Sequence, residues 1–316
     1  MSNNFPVDSL AEANKIPLPG LIGSNPLGAL TAFGLLKVLS EEFPETKLAF
    51  EMRDDWVAVL HNAPFDSSDG LVAWLSEWVK KPELNTLINW GDDVRMPVAE
   101  FRAKLTHSLE TNEVRLTEIY SALVSDGAVD KSKGLVKPSL FYMVSGQQSF
   151  LGGMREVLSD IRANPVSKIK EALIGPWALS SRLHGLGLDP GGERLYALRS
   201  KSPTGEKPAS VTAATWLAFI AMTLLPSLAQ EGQQRTLGFQ RKQRDGDYFQ
   251  WPIFTAPLTL ASLKTLLQSQ SNIDRSKSRL RNGIGAVFQS KRFTFGQGYA
   301  VFRPAREKRI DKVDAP

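Results

Sequence analysis

The chain is 316 residues long and 42% hydrophobic, enough to fill the core of one large or two moderate globular domains and too apolar for a disordered chain. It has no cysteine, which excludes disulfides, thiolate metal sites, iron–sulfur clusters and cysteine nucleophiles together. Its 38 Lys and Arg against 33 Asp and Glu give a net charge of +5, and the surplus is uneven: residues 231–316 carry 16 basic and 7 acidic residues, net +9, which leaves −4 for residues 1–230. Clustered charge of this kind is what polyanion binding needs.

The opening "MSNNFPVDSLAEANK" is polar and acidic, without a basic segment leading into an apolar run, so a cytoplasmic location is expected. "PGLIGSNPLGALTAFGLLKVL" (19–39) then leads from a glycine-rich turn, Gly20 to Pro26, into an apolar helix. Ser24 or Asn25 suits the N-cap, and Pro26 suits the first helical position. Leu27, Leu30, Phe33, Leu36 and Val38, with Gly28, Ala29, Ala32 and Gly34 between them, make a helix apolar nearly all round, hence buried. A helix N-terminus at such a turn also suits an anion, although the lysine of a phosphate-binding GxxxxGK[ST] loop is missing. The residues therefore leave two readings open: a structural cap, or a backbone contact to phosphate through Ser24 and Asn25.

Next, "KLAFEM" (47–52) and "WVAVLH" (56–61) predict a hairpin around Arg53, Asp54 and Asp55. Apolar spacing predicts helices over 69–81, 96–109 and 112–126. A Gly-, Ser- and Lys-rich loop follows at 126–139, then a helix within 147–165 that stops at Asn164-Pro165. Residues 175–210 are punctuated by glycine and proline, with only "RLYALRS" strand-like. The stretch 210–229 approaches membrane-span length but is broken by Pro226 and carries three threonines, which predicts a buried core helix and no membrane partner. Two strands are expected in 235–254 around Arg244 to Asp247, a helix over 259–270, and a hairpin over 285–305 turning at Gly296 to Gly298. The expected class is α+β: a mostly helical N-terminal region with short hairpins (1–170) and a basic region of antiparallel strands and helices (171–316).

Catalytic apparatus is sparse. Asp54/Asp55, Asp92/Asp93 and Asp245/Asp247 sit in predicted turns, where aspartate is an ordinary residue, and no histidine stands near them. His61, His107 and His184 are isolated, and no GxSxG occurs. Neither an enzyme, a metal site nor a cofactor is expected. What remains is basic clusters interleaved with aromatics. One holds Arg235, Arg241, Lys242 and Arg244 beside Phe239, Tyr248 and Trp251; the other holds Arg275, Lys277, Arg279, Arg281, Lys291 and Arg292 beside Phe293. Residues 275, 277, 279 and 281 are two apart, so an extended backbone would align four cations along about 20 Å on one face, matching several phosphates of a nucleic acid. A solvated positive surface is the alternative.

"GSNPLGALTAFGLLKVLSE", "LDPGGERLYALRSKSPTGEK" before an apolar helix ending in Leu-Pro, "GDYFQWPIFTAPLTLASLKTLL" and the closing "RNGIGAVFQSKRF…GYAVFRPA" occur in that order. Together they resemble the Csb/Csx-type proteins of type I-G (formerly I-U) CRISPR systems, relatives of the Cascade large subunit. The resemblance implies a non-catalytic subunit of an RNA-guided surveillance complex. Such a subunit contacts the 5′ handle of the guide RNA and the motif flanking the double-stranded DNA target. It also assists R-loop formation, binds other Cascade subunits and recruits a helicase-nuclease in trans. Guide pairing reads the sequence, so the protein needs shape, backbone and few base-edge contacts. Under this reading Ser24 and Asn25 lie against nucleic acid, Gln289, Lys291 and Arg292 meet the flanking motif, and the cations at 235–244 and 275–281 track a strand. Two other readings stay open: a guide-RNA-processing endonuclease using a lone histidine, His184 or His61, or positioned Lys and Tyr, and an interaction scaffold without nucleic-acid contact whose basic end meets an acidic partner.

Overall fold

The computed structural model describes residues 14–144, 148–183, 185–191, 209–243, 245–269, 283–295 and 299–308. Around helix α1 (Pro26–Ser40) the rest of the fold is assembled: every residue from Pro26 to Leu39 is buried, as its all-round apolar sequence requires. Helix α7 (Thr212–Ala221), buried at all ten positions, crosses it at backbone contact. A Cβ at Gly34 would stand 1.8 Å from the Leu217 carbonyl oxygen, so only glycine fits the crossing. Beside it, the Thr31 hydroxyl donates to Leu27 O and Ala214 O, which satisfies a polar group inside the helix pair. The stretch of near-span length is thus a short core helix, and among the described residues no helix is long and apolar enough to cross a membrane.

Strands β1 (Lys15–Ile22), β2 (Lys47–Met52) and β3 (Trp56–His61) form an antiparallel sheet in the order β1-β3-β2. The β2–β3 hairpin is the expected one. Strand β1 is a correction: "KIPLPGLI" alternates exposed and buried positions, so Gly20 lies in a strand, and the turn before α1 is confined to Gly23–Asn25. Helices α2 (Ser68–Trp78), α3 (Val98–Glu110) and α4 (Val114–Leu123) follow the predicted spacing. The loop expected at 126–139 is instead a hairpin, β4 (Val124–Asp130) and β5 (Leu135–Pro138), with Gly134 at φ +66° closing its turn. Its buried apolar residues are only Val124, Ala128 and Val136, too thin a pattern to outweigh the polar composition. Helix α5 (Phe150–Ala163) ends where Asn164-Pro165 predicts, but Pro165 then serves as the first residue of a further helix, α6 (Pro165–Leu173).

A hairpin absent from the sequence reading, β6 (Ser227–Gln230) and β7 (Gln233–Thr236), turns through Glu231 and Gly232, both at positive φ, the geometry of a two-residue hairpin turn. Strands β8 (Phe239–Lys242), β9 (Gly246–Phe254), β10 (Ile284–Phe295) and β11 (Tyr299–Phe302) form the main antiparallel sheet, and β12 (Arg306–Glu307) also pairs β10. Helix α8 (Leu260–Gln268) lies between β9 and β10 in sequence. The fold is α+β, helical towards the N-terminus and strand-rich towards the C-terminus. One hydrophobic core runs across position 170: Phe33 of α1, Phe50 of β2 and Phe254 of β9 pack ring to ring at centroid distances of 5.4–6.4 Å. The strand expected in "RLYALRS", and residues His184, Arg244, Arg275, Lys277, Arg279 and Arg281, lie outside the described residues.

Candidate nucleic-acid interface

Strands β8, β9 and β10 are amphipathic, and their pairing decides which residues meet. Tyr248 stands opposite Gln240 on one side and Lys291 on the other, while Gln289 stands opposite Gln250 and Arg306. Alternation therefore gathers Lys242, Tyr248, Gln250, Gln289, Lys291 and Arg306 on one face. The other face carries Phe239, Phe249 and Trp251. There Phe249 stacks on Trp251 and Phe302 at 5.1 and 5.5 Å, and Phe141 packs edge-on against Phe239 and Phe249. The aromatic face anchors the sheet to the core; on the polar face Gln250 is buried, while Lys242 and Arg306 are exposed and Tyr248, Gln289 and Lys291 are partly accessible to solvent or a ligand.

On the polar face the side chains are joined. Lys242 Nζ lies 4.1 Å from the Tyr248 ring centre and donates to Gln289 Oε1 at 3.1 Å. Lys291 Nζ meets Asp245 Oδ1 at 2.5 Å, and the Tyr248 hydroxyl donates to Asp245 Oδ2 at 2.5 Å. These bonds set the titration of all three groups. The Lys291 hydrogen bond, followed by that of Tyr248, holds the Asp245 carboxyl below the usual carboxylate range. Asp245 in turn raises the Lys291 ammonium and the Tyr248 phenol. At the next alternate position of β10, the Arg303 guanidinium stacks 4.2 Å over the Phe293 ring. Lys308 Nζ reaches Gln250 Oε1 at 3.3 Å. Five cations, Lys242, Lys291, Arg303, Arg306 and Lys308, thus collect beside two aromatic rings.

The residues singled out from sequence divide into those this face brings together and those it does not. Lys242, Gln289 and Lys291 meet on it. Arg292, one residue on, belongs to the opposite side: its guanidinium donates to Leu140 O at 2.9 Å and Tyr142 O at 3.0 Å, fastening the segment before α5 to β10. Burial lowers its pKa, as expected for a cation committed to carbonyls inside the fold. Arg241 pairs with Asp247 at 3.3 Å, and Arg235 is exposed on the separate β6–β7 hairpin. Arg303, Arg306 and Lys308 were missed; the run "FRPAREK" carries the signal, but only the pairing of β12 with β10 brings it to the sheet.

Ser24 and Asn25 stand elsewhere, at the start of α1. Asn25 Oδ1 accepts from the backbone N–H groups of Leu27 and Gly28, and its Nδ2 donates to Asp189 Oδ1 at 3.0 Å. Ser24 Oγ donates to Asp55 Oδ2 at 2.5 Å. The turn is a side-chain cap, with the first helical amides occupied from within the chain.

Of the other acidic pairs, the Asp55 and Asp93 carboxylates are bonded within the chain as well. Asp55 also accepts from Trp56 N, and Asp93 accepts from Tyr142, Phe150 N and Arg95. Among the described residues no group of three or more His, Asp or Glu is arranged to hold a metal ion. His61 is buried between Lys15 and Lys47 across the first sheet, and His107 is exposed in the last turn of α3. No protein-family model matches the chain, and neither does any curated protein.

Proposed function

We propose that the protein is a non-catalytic, large-subunit-like component of an RNA-guided CRISPR surveillance complex, contacting the guide RNA and the DNA flanking its target and recruiting a helicase-nuclease. Two things support this reading: the sequence resemblance described above, and the cation- and aromatic-bearing face of the β8–β9–β10–β12 sheet, which is the observation that carries it. Lysine and arginine side chains spaced along paired strands suit a phosphate backbone, and adjacent rings and guanidinium planes suit unstacked bases. Such a face reads backbone and shape, the share of recognition that guide pairing leaves to protein.

The test is a salt titration of binding to a guide-like RNA and to a short duplex, comparing wild type with Lys242→Ala/Lys291→Ala and with Arg279→Ala/Arg281→Ala. Each phosphate contact removed lowers the log–log salt slope by about 0.7 on single strands and about 0.9 on duplex DNA. The first pair should therefore flatten the RNA slope by about 1.4. A slope unchanged in both pairs refutes the nucleic-acid role.

A further inference from the structure

Asp245 is the carboxylate bonded into the cationic face. Both its oxygens are engaged by donors from different strands, Lys291 Nζ of β10 and the Tyr248 hydroxyl of β9. Two donors converging on the two oxygens of one oxyanion is the arrangement that would hold two non-bridging oxygens of a phosphate. Lys242, on the same Tyr248 ring, supplies a neighbouring cation. The turn that carries Asp245 is set for this contact: Asp245 N donates to Lys242 O at 3.1 Å, and Gly246 at φ +101° takes a conformation that favours glycine. Yet the side chain of Asp245 remains half exposed and that of Lys291 one-third exposed, so the pair is screened by water and opens readily.

We infer that Lys291 and Tyr248 form a phosphate subsite for single-stranded nucleic acid, and that the Asp245 carboxylate occupies it as an internal competitor which a backbone phosphate must displace. The inference rests on the reading of this face as a nucleic-acid surface and adds to it a built-in threshold. Weak, isolated anions fail to displace Asp245, whereas a strand that also engages Lys242 and Arg306 succeeds. The competitor sharpens selection for continuous polyanions over single phosphates.

The experiment is fluorescence anisotropy with a labelled 20-nucleotide oligouridine RNA at 0.1 M salt. The variants are Asp245→Asn, Lys291→Ala, the two combined, and Glu307→Gln as a control that removes one negative charge from the same sheet. Thermal melts check that each is folded. Freeing one phosphate contact at a slope of 0.7 corresponds to about fivefold tighter binding at this salt. Asp245→Asn should reach that gain and exceed Glu307→Gln, and in the Lys291→Ala background the gain should fall to the level of the control. Equal effects of Asp245→Asn and Glu307→Gln, or a gain that persists without Lys291, overturn the competitor while leaving the surface standing. Binding indifferent to Lys291→Ala removes the subsite and the competitor, and wild-type binding that is absent removes the surface with them.

Discussion

Gly34→Ala is the most direct test of how the core is assembled. A Cβ there would stand 1.8 Å from Leu217 O and 2.7 Å from its carbonyl carbon, where ordinary contact begins near 3.4 Å, so α1 and α7 must part locally by about 1.6 Å. Both atoms struck are backbone, and no rotamer change relieves the clash. In isolation the substitution favours a helix by about 1 kcal/mol. Against this stand overpacking, about 1–3 kcal/mol, and loss of the Thr31 bond to Ala214 O, about 1 kcal/mol. The net expectation is destabilisation by about 1–3 kcal/mol, a fall in Tm of about 2–5 °C. Gly70→Ala in α2 is the comparison: its new Cβ meets nothing nearer than 3.7 Å and should be neutral or stabilising by about 0.5 kcal/mol. Urea unfolding followed by tryptophan fluorescence measures both. A Gly34→Ala protein as stable as wild type would refute the close crossing.

Asp160 joins α5 to the start of α7, accepting from Ser181 Oγ at 2.5 Å and Thr212 Oγ1 at 2.7 Å, with Lys168 Nζ at 3.2 Å. Asp160→Ala strands these hydroxyls and should cost about 1–3 kcal/mol at pH 7 by urea unfolding. Burial pushes the Asp160 carboxyl up, but the hydrogen bonds from Ser181, Thr212 and Lys168 outweigh it and hold its pKa below 3.8. Its contribution is therefore present above pH 3.8 and lost as pH falls through the folded value, so the gap between variant and wild type should narrow in strong acid; a gap constant with pH would refute the assignment. His61 behaves in the opposite sense: burial first, then the charges of Lys15 and Lys47, lower its pKa below 6.5 against the pull of Glu51. Its neutral form is the native one, so its contribution is complete above pH 6.5 and declines as the pH drops below that value. His61→Gln should flatten the stability change between pH 7.5 and 5.5, and an unaltered profile would show that another group governs it.

Periodicity made α1 and the helices at 69–81 and 96–109 legible, because each places apolar residues on the face that the core needs. The short hairpins were harder. "VSDGAVD" and "QQRT" bury few apolar side chains and are held by pairing within their own hairpins, which local composition does not express. The same limit applied to the candidate interface. "RKQRDGDYFQW" and "FQSKRF" announced cations and rings, and strand alternation puts Lys291 and Arg292 on opposite sides, but two properties depend on tertiary pairing: which of the two faces the core, and that Asp245 lands on Lys291. Asn25 was visible as a cap, whereas its second bond, to Asp189, spans 164 residues and has no local signature.

The α1–α7 crossing also bears on how the chain comes into being. Residues 26–39 leave the ribosome long before residue 212, and until then the most apolar helix of the N-terminal region lacks the backbone it is shaped to touch, while Phe33 and Phe50 lack Phe254. Contacts this distant in sequence close slowly and leave sticky surface exposed during synthesis. A polypeptide cut near residue 170 therefore keeps its secondary-structure propensities and loses its interior, so the unit to be produced, or to be bound by a chaperone, is the continuous chain through the last strands.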